Sequence, residues 1–298
     1  MAPKPKVIAI VGPTSSGKTN LSITLAQHIS GEVISADSRQ VYLGLDIGTG
    51  KITPDQMNGI PHHLLDVADP DYIYTGAEFA HAAAVAIHDI TTRGNLPIIA
   101  GGTFFYIDLL RGKMQAAPVE PDQVFRDTLE QYSNEELLEL LQQKDPRRAN
   151  TIEPQNRRRL VRALEIIHTL GSVPKPTTVE SPYDWLMIGI TIDKETLREK
   201  FAKRLTAWLE IGLLEEVARV RAAISPERFL ELGFEYTLTA DYIDKQITRD
   251  ELFEQFVQKN WQYAKRQLTW LKRDPDIVWV DPTDIDTILG LTQSFLQQ

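Results

Sequence analysis

The segment Gly12-Pro13-Thr14-Ser15-Ser16-Gly17-Lys18-Thr19 matches G-x-x-x-x-G-K-[ST] in full and follows directly on the apolar run Val7 to Val11. An apolar run of that length reads as a buried strand. A strand that turns through glycines into a helix is a phosphate cradle. The glycines let backbone N–H groups converge, the following helix adds its positive end, Lys18 supplies a mobile cation, and the Thr19 hydroxyl can ligate Mg²⁺. Such a loop recognises a diphosphate and not necessarily a nucleotide, so the remainder of the chain must decide what it holds.

Strand-like and helical signals alternate over the first hundred residues, the pattern of an α/β domain with a parallel sheet. After Val7 to Val11 come a helix from about Lys18 to Ile29, a strand at Glu32 to Ser35 and a short strand candidate at His63 to Val67. Thr75-Gly76-Ala77-Glu78 is a capping box that opens an alanine-rich helix, which Gly94 closes. Leu96 to Ala100 then reads as a strand ending at Gly101-Gly102-Thr103. From Lys113 to Asp184 the chain turns polar and proline-punctuated, suggesting an α-helical insertion; Leu186 to Ile192 returns to the sheet, Lys194 to Lys272 is mostly helical, and Val278 to Val280 is a last strand. The fold expected is a P-loop NTPase-like parallel-sheet core flanked by helices. Its divisions are residues 1–112, an insertion at 113–184, and a return at 185–298.

The 298 residues include no cysteine, which rules out disulfides, thiolate zinc sites and cysteine nucleophiles. No apolar stretch reaches the length of a membrane span, and the start from Met1 to Lys6 argues against a signal peptide, so a cytoplasmic protein is expected. A net charge of −9 speaks against nucleic-acid binding as a bulk property, but the distribution speaks differently. Lys144 to Arg162 holds seven basic residues against two acidic ones, and Gln262 to Arg273 holds four basic residues and no acidic one. These stripes are either local phosphate-binding surfaces or solvated helix faces.

Ligands of open parallel sheets bind outside the carboxyl ends of the strands. Three informative features fall there: the P-loop, Asp37 just after the second strand, and Thr103 after the Gly101-Gly102 turn. A cradle, a carboxylate and a hydroxyl on one rim suit a reaction in which a phosphate-bearing substrate meets a group that must lose a proton. Asp37 then serves as a base, as a Mg²⁺ ligand, or as the cap of a turn. His62 and His63 are not a metal pair, because adjacent strand residues point to opposite faces.

Taken together, the P-loop, Ile34 to Tyr42, Leu45-Asp46-Ile47-Gly48-Thr49-Gly50-Lys51, Pro61 to Asp66, Gly101-Gly102-Thr103, Arg162-Ala163-Leu164-Glu165 and Ala264 to Trp270 resemble the bacterial tRNA dimethylallyltransferase (tRNA isopentenyltransferase) family. The resemblance implies transfer of a dimethylallyl group from dimethylallyl diphosphate to N6 of the adenosine next to the anticodon on its 3′ side, with Mg²⁺ present, by a monomer. It implies Asp37 as general base, with Lys18, Thr103 and Arg204 on the diphosphate; Arg204, Trp208 and Gly212 follow the spacing of the family's R-x-x-x-M-x-x-x-G helix. The anticodon stem-loop is implied to rest on Asp37, Ser38, Arg39 and Gln40, on Arg158, Arg159, Leu160, Val161 and Arg162, and on Lys265, Arg266, Gln267 and Trp270.

The chain departs from that pattern at named places. Asn156-Arg157-Arg158-Arg159-Leu160 stands where the family has D-x-Q-R-[IL], Trp208 replaces a methionine, Phe104-Phe105 replace smaller residues, and Gly233-Phe234-Glu235-Tyr236 covers a usual G-Y. These changes bear on RNA contacts and the prenyl pocket more than on base or cradle. Other readings of the same residues are an adenylate isopentenyltransferase acting on a free nucleotide, a P-loop small-molecule kinase, and a regulatory nucleotide-binding module for which Asp37 and Thr103 would have no use.

Overall fold

The structure, a computed structural model, describes residues 3–175 and 177–298; Met1, Ala2 and Pro176 lie outside the described residues. The strands are β1 (Lys6–Val11), β2 (Gly31–Ser35), β3 (His62–His63), β4 (Leu96–Gly101), β5 (Asp184–Ile190) and β6 (Ile277–Val280). They form one parallel sheet in the order β3-β2-β4-β1-β5-β6. Val7 to Val11 are fully buried, as a central strand covered on both faces requires. The helices in chain order are α1 (Lys18–Ile29), α2 (Gly76–Thr92), α3 (Phe104–Leu110), α4 (Gln123–Leu129), α5 (Asn134–Lys144), α6 (Pro146–Ala149), α7 (Arg157–Leu170), α8 (Lys194–Glu210), α9 (Leu213–Ala223), α10 (Pro226–Glu231), α11 (Phe234–Ile243), α12 (Arg249–Leu271) and α13 (Ile285–Gln297).

The chain divides into two compact units. One runs to Gly112 and resumes at Glu180; the other is Lys113–Val179. In the first, alternate residues of β1 face opposite cores: Val7, Ala9 and Val11 pack with Phe79, Ile87 and Ile107, while Ile8 and Ile10 pack with Leu21, Leu25 and Ile288. A third core gathers Phe201, Leu205, Trp208, Val217, Tyr236 and Phe256 from α8 to α12. The second unit is helical and closes around Leu137, Leu141, Leu160 and Leu164.

Register places the chemistry. Val11 pairs with Gly101 and Ser35 with Ala100, so β1, β2 and β4 end at one level and the segments leaving them meet on one rim. Three readings need correction. The strand expected at His63 to Val67 is only His62–His63, because Leu64 (φ 63°) and Asp66 (φ 54°) turn the backbone out of the extended region. The strand expected at Leu186 to Ile192 spans Asp184–Ile190, two residues earlier at each end. Helix α13, whose Ile288 fills the core under β1, has no counterpart in the sequence reading. The capping box of α2 stands as read: the Thr75 hydroxyl accepts from the Glu78 amide, and Gly94 follows the helix at φ 78°.

Candidate active site

The P-loop leaves β1 and enters α1 with Gly17 in a left-handed conformation. Among the described residues, the Ser15 and Gly17 amides have no acceptor within the protein, and the first-turn amides of α1 have none within the helix. Lys18 Nζ donates to the carbonyls of Gly12 (3.0 Å) and Pro13 (2.7 Å). Burial pulls its pKa down to about 8, against the raising pull of Asp37, and Arg204 lowers it further. Thr19 is exposed on the first turn, its hydroxyl bonded to no protein atom.

Asp37 lies on the same rim. Its Oδ1 accepts from the amides of Arg39 (2.9 Å) and Gln40 (3.4 Å), the turn-capping arrangement natural to Asp, and among the described residues Oδ2 has no protein donor. Thr103 Oγ1 accepts from the Ser38 amide at 2.9 Å, tying the segment after β4 to the segment after β2. Arg204 reaches in from α8: Nη1 donates to Thr14 Oγ1 (3.0 Å) and Ser15 Oγ (3.1 Å), and Nη2 to the Thr49 carbonyl (3.1 Å). Burial lowers the Arg204 pKa to about 10, with Glu235 and Asp37 opposing. The P-loop, Asp37, Thr103 and Arg204 thus lie together at one end of the sheet.

The residues expected on RNA divide differently. Gln40 donates to the carbonyls of Thr49 and Gly50 (3.3 Å each) and accepts from Ser35, so its amide is spent inside the protein. Gln267, expected on the RNA face, is 4% exposed with both ends of its amide engaged by the protein. Its helical neighbours Lys265, Arg266 and Trp270 are exposed, Trp270 donating from its indole to Asp108 Oδ2 at 2.9 Å. In the second unit Leu160 is fully buried in the core, so its side chain faces no ligand, and Val161 is half-buried. Arg162 is held by Glu165 and the Val119 carbonyl, and Arg157 by the carbonyls of Tyr132, Leu129 and Glu130. Much of the basic stripe is therefore neutralised internally. Arg159 pairs with Glu153 at 3.0 Å at the surface, and the Arg158 side chain is exposed and has no partner among the described residues. Asn156 caps α7, its Oδ1 accepting from the Arg159 amide, a task Asn performs as well as Asp.

Sequence reasoning missed the supports. Glu216, 3% exposed on α9, accepts from the amides of Asp46, Ile47 and Gly48 at 3.1, 2.7 and 2.9 Å and from the Tyr236 hydroxyl at 2.8 Å. It fixes the segment that delivers the Thr49 carbonyl to Arg204. Lys51, its side chain 5% exposed, donates to the Tyr42 carbonyl, Asp46 and Asp66 and pins the other side. Glu235 lies close to Arg204, Arg39 and Asp37, and burial pushes its carboxyl above the usual range. Tyr263 is pushed up to about 12, chiefly by burial and then by Asp37 and Glu235.

The His62 ring bonds the Ile60 carbonyl and His63 bonds Glu32, so neither is turned to a shared metal. Among the described residues no group of three His, Asp or Glu side chains could hold a metal ion, and no helix is long and apolar enough to cross a membrane.

A family model for IPP transferase matches residues 40–274. The chain is 40% identical over 289 residues to a tRNA dimethylallyltransferase of Anoxybacillus flavithermus, covering 95% of this chain and 92% of the relative. The crystal structure of a full-length tRNA isopentenylpyrophosphate transferase from Bacillus halodurans superposes with a TM-score of 0.71 at 36% identity, over 98% of this chain and 95% of that one. A eukaryotic dimethylallyltransferase acting on tRNA superposes with a TM-score of 0.78 at 29% identity, over 95% and 75%. By this family match and these relatives, the chain belongs to the IPP transferase family of transferase enzymes.

Proposed function

We propose that this chain transfers a dimethylallyl group from dimethylallyl diphosphate to N6 of the adenosine adjacent to the anticodon on its 3′ side, releasing pyrophosphate. One arrangement carries the reading: Gln267 ties the P-loop at Thr14 to the Gly102 carbonyl, and the neighbouring Thr103 accepts from the Ser38 amide beside Asp37, so a diphosphate leaving group and a proton acceptor face one space.

The reaction makes one N–C bond and breaks one C–O bond. As the N6 lone pair attacks C1 of the donor, electrons of the C1–O bond pass to the diphosphate and the N6 proton passes to Asp37 Oδ2. Oδ1 is already engaged by two amides, which orient the carboxylate. Adenine N6 is a weak nucleophile because its lone pair is delocalised, so a positioned base contributes typically 10² to 10⁴ in rate. Developing charge on the diphosphate is met by the free P-loop amides, Lys18 and Arg204.

Mg²⁺ fits this site in one way. The exposed Thr19 hydroxyl is free to ligate it, and with no cluster of three ligands among the described residues, the ion must draw most of its coordination from diphosphate and water. When bound it supplies charge neutralisation of the leaving group.

For the RNA, Arg158, Arg159, Lys265, Arg266 and Trp270 offer exposed cations and an aromatic face. A cytoplasmic monomer is the acting unit this reading expects. The test is to incubate labelled dimethylallyl diphosphate separately with total tRNA, AMP and ATP. Label in tRNA alone supports the reading; label in AMP or ATP points to the nucleotide-prenylating alternative, and label nowhere removes it.

A further inference from the structure

Helix α12 carries a buried stripe of Leu252, Phe256, Asn260, Ala264, Gln267 and Leu271. Gln267 is the member of that stripe that reaches the rim. Its Oε1 accepts from the Thr14 amide at 2.9 Å and its Nε2 donates to the Gly102 carbonyl at 3.0 Å. One planar amide therefore spans from the P-loop to the turn that carries Thr103.

The fit is close on both sides. A Cβ at Gly102 would lie 2.6 Å from Gln267 Nε2, so only glycine lets the strut seat. Thr14 is held twice, its amide by Gln267 and its hydroxyl by Arg204 at 3.0 Å, which turns its N–H away from the cradle and fixes the loop apex. From Thr14 the chain of bonds continues through Gln267 to Gly102, and from the neighbouring Thr103 to the Ser38 amide and the Asp37 turn. Diphosphate cradle and base are thus spaced by a side chain from neither.

We propose that Gln267 is a positioning residue for the transfer reaction, setting the distance between the diphosphate cradle and the Asp37–Thr103 rim, and is not an RNA contact. The proposal rests on the reaction described above. Reacting atoms held about 3 Å apart lose on the order of 10²-fold in rate for a 1 Å misplacement. Two polar groups, the half-buried Thr14 N–H and the buried Gly102 carbonyl, lose these partners when the amide is removed.

The test compares the parent enzyme with Gln267→Leu and Gly102→Ala, the second of which obstructs the strut without removing it. Three quantities are measured: the single-turnover rate at saturating tRNA and dimethylallyl diphosphate, the tRNA Kd, and the Kd for inorganic pyrophosphate. The rate is expected to fall roughly ten- to a hundredfold and the pyrophosphate Kd to rise about threefold or more, with the tRNA Kd within about twofold of the parent. A tRNA Kd raised about tenfold with the saturated rate intact returns Gln267 to the RNA face and overturns the proposal, as does an unchanged pyrophosphate Kd. If Gln267→Leu fails to fold, Gly102→Ala carries the comparison. Pyrophosphate binding also reads the strut when tRNA proves not to be the acceptor, so failure of the proposed reaction and failure of this inference are distinguishable.

Discussion

Arg204 lays its guanidinium over the indole of Trp208, one helical turn further along α8, with the guanidinium carbon 4.1 Å from the ring centre. Trp208 is itself 7% exposed and braced edge-on by Phe256. Gly50 completes the fit: at φ 61°, a Cβ there would lie 2.2 Å from Arg204 Nη2 and 3.2 Å from the indole. The departure that the sequence assigns to the prenyl pocket is a platform for Arg204.

A cation held on an aromatic face gains about 0.5 to 2 kcal/mol, more where it is desolvated. Trp208→Phe keeps a face and is expected to leave kcat/KM for dimethylallyl diphosphate within about threefold, whereas Trp208→Leu keeps bulk but loses the face and should cost roughly 2- to 30-fold. Equal losses in the two variants, tracking their Tm values, would reduce Trp208 to packing.

Asp37→Asn is a clean substitution because Asn closes the same turn. Its Oδ1 can accept the Arg39 and Gln40 amides while an NH₂ replaces Oδ2, so the rim keeps its shape and loses its base. A fall in kcat of about 10² to 10⁴ is expected with nearly normal binding of both substrates. Restoration of the rate by excess Mg²⁺ in single-turnover assays would identify Asp37 as a metal ligand instead.

Lys18 gives the free enzyme a pH signature. Burial holds its pKa near 8, so the ammonium that meets a diphosphate is present below that value and lost as pH rises through it. The Kd for inorganic pyrophosphate should therefore rise above about pH 8, and Lys18→Arg should remove the inflection because a guanidinium stays charged. A flat profile to pH 9.5 in the parent contradicts this.

The scaffold was legible because it rests on local signals. Five apolar residues before a glycine-rich turn, a capping box at Thr75 and a C′ glycine at Gly94 each act within a few residues of themselves. What escaped depends on tertiary partners: Glu216 in Leu213-Leu214-Glu215-Glu216 looks like any surface carboxylate until three distant amides converge on it. Gln267 carried a usable signal, since it continues the spacing of Phe256, Asn260 and Ala264, and that stripe faces inward. The arginine run misled because charge was counted without its partners; Glu130 and Glu165 lie outside the window yet bind Arg157 and Arg162.

With those partners assigned, the RNA prediction narrows to Arg158 and Arg159. Neutralising both should weaken tRNA binding and lower the dependence of log K on log salt by roughly 0.7 to 0.9 per lost phosphate contact, leaving pyrophosphate binding unchanged. Arg162, spent on Glu165, should instead cost Tm when replaced. An unchanged salt slope in the double variant would return Arg158 and Arg159 to a solvated helix face.

Glu32, 3% exposed on β2, makes stability sensitive to acid. Burial alone would raise its pKa, but donors from Arg93 (2.7 and 3.2 Å) and Asn95 (2.7 Å), together with a 2.7 Å contact to the His63 ring, outweigh it and hold the carboxyl at about 2. The unfolded chain binds the proton from about pH 4.5 downward and the folded one only near 2, so this stability is complete above pH 4.5 and lost as pH falls toward 2. Its full size is on the order of 3 kcal/mol. Glu32→Gln should lower Tm at pH 7 and flatten the slope of stability against pH between 4.5 and 2, because the variant has no proton to take up there. A slope identical to that of the parent enzyme would place the acid-sensitive group elsewhere.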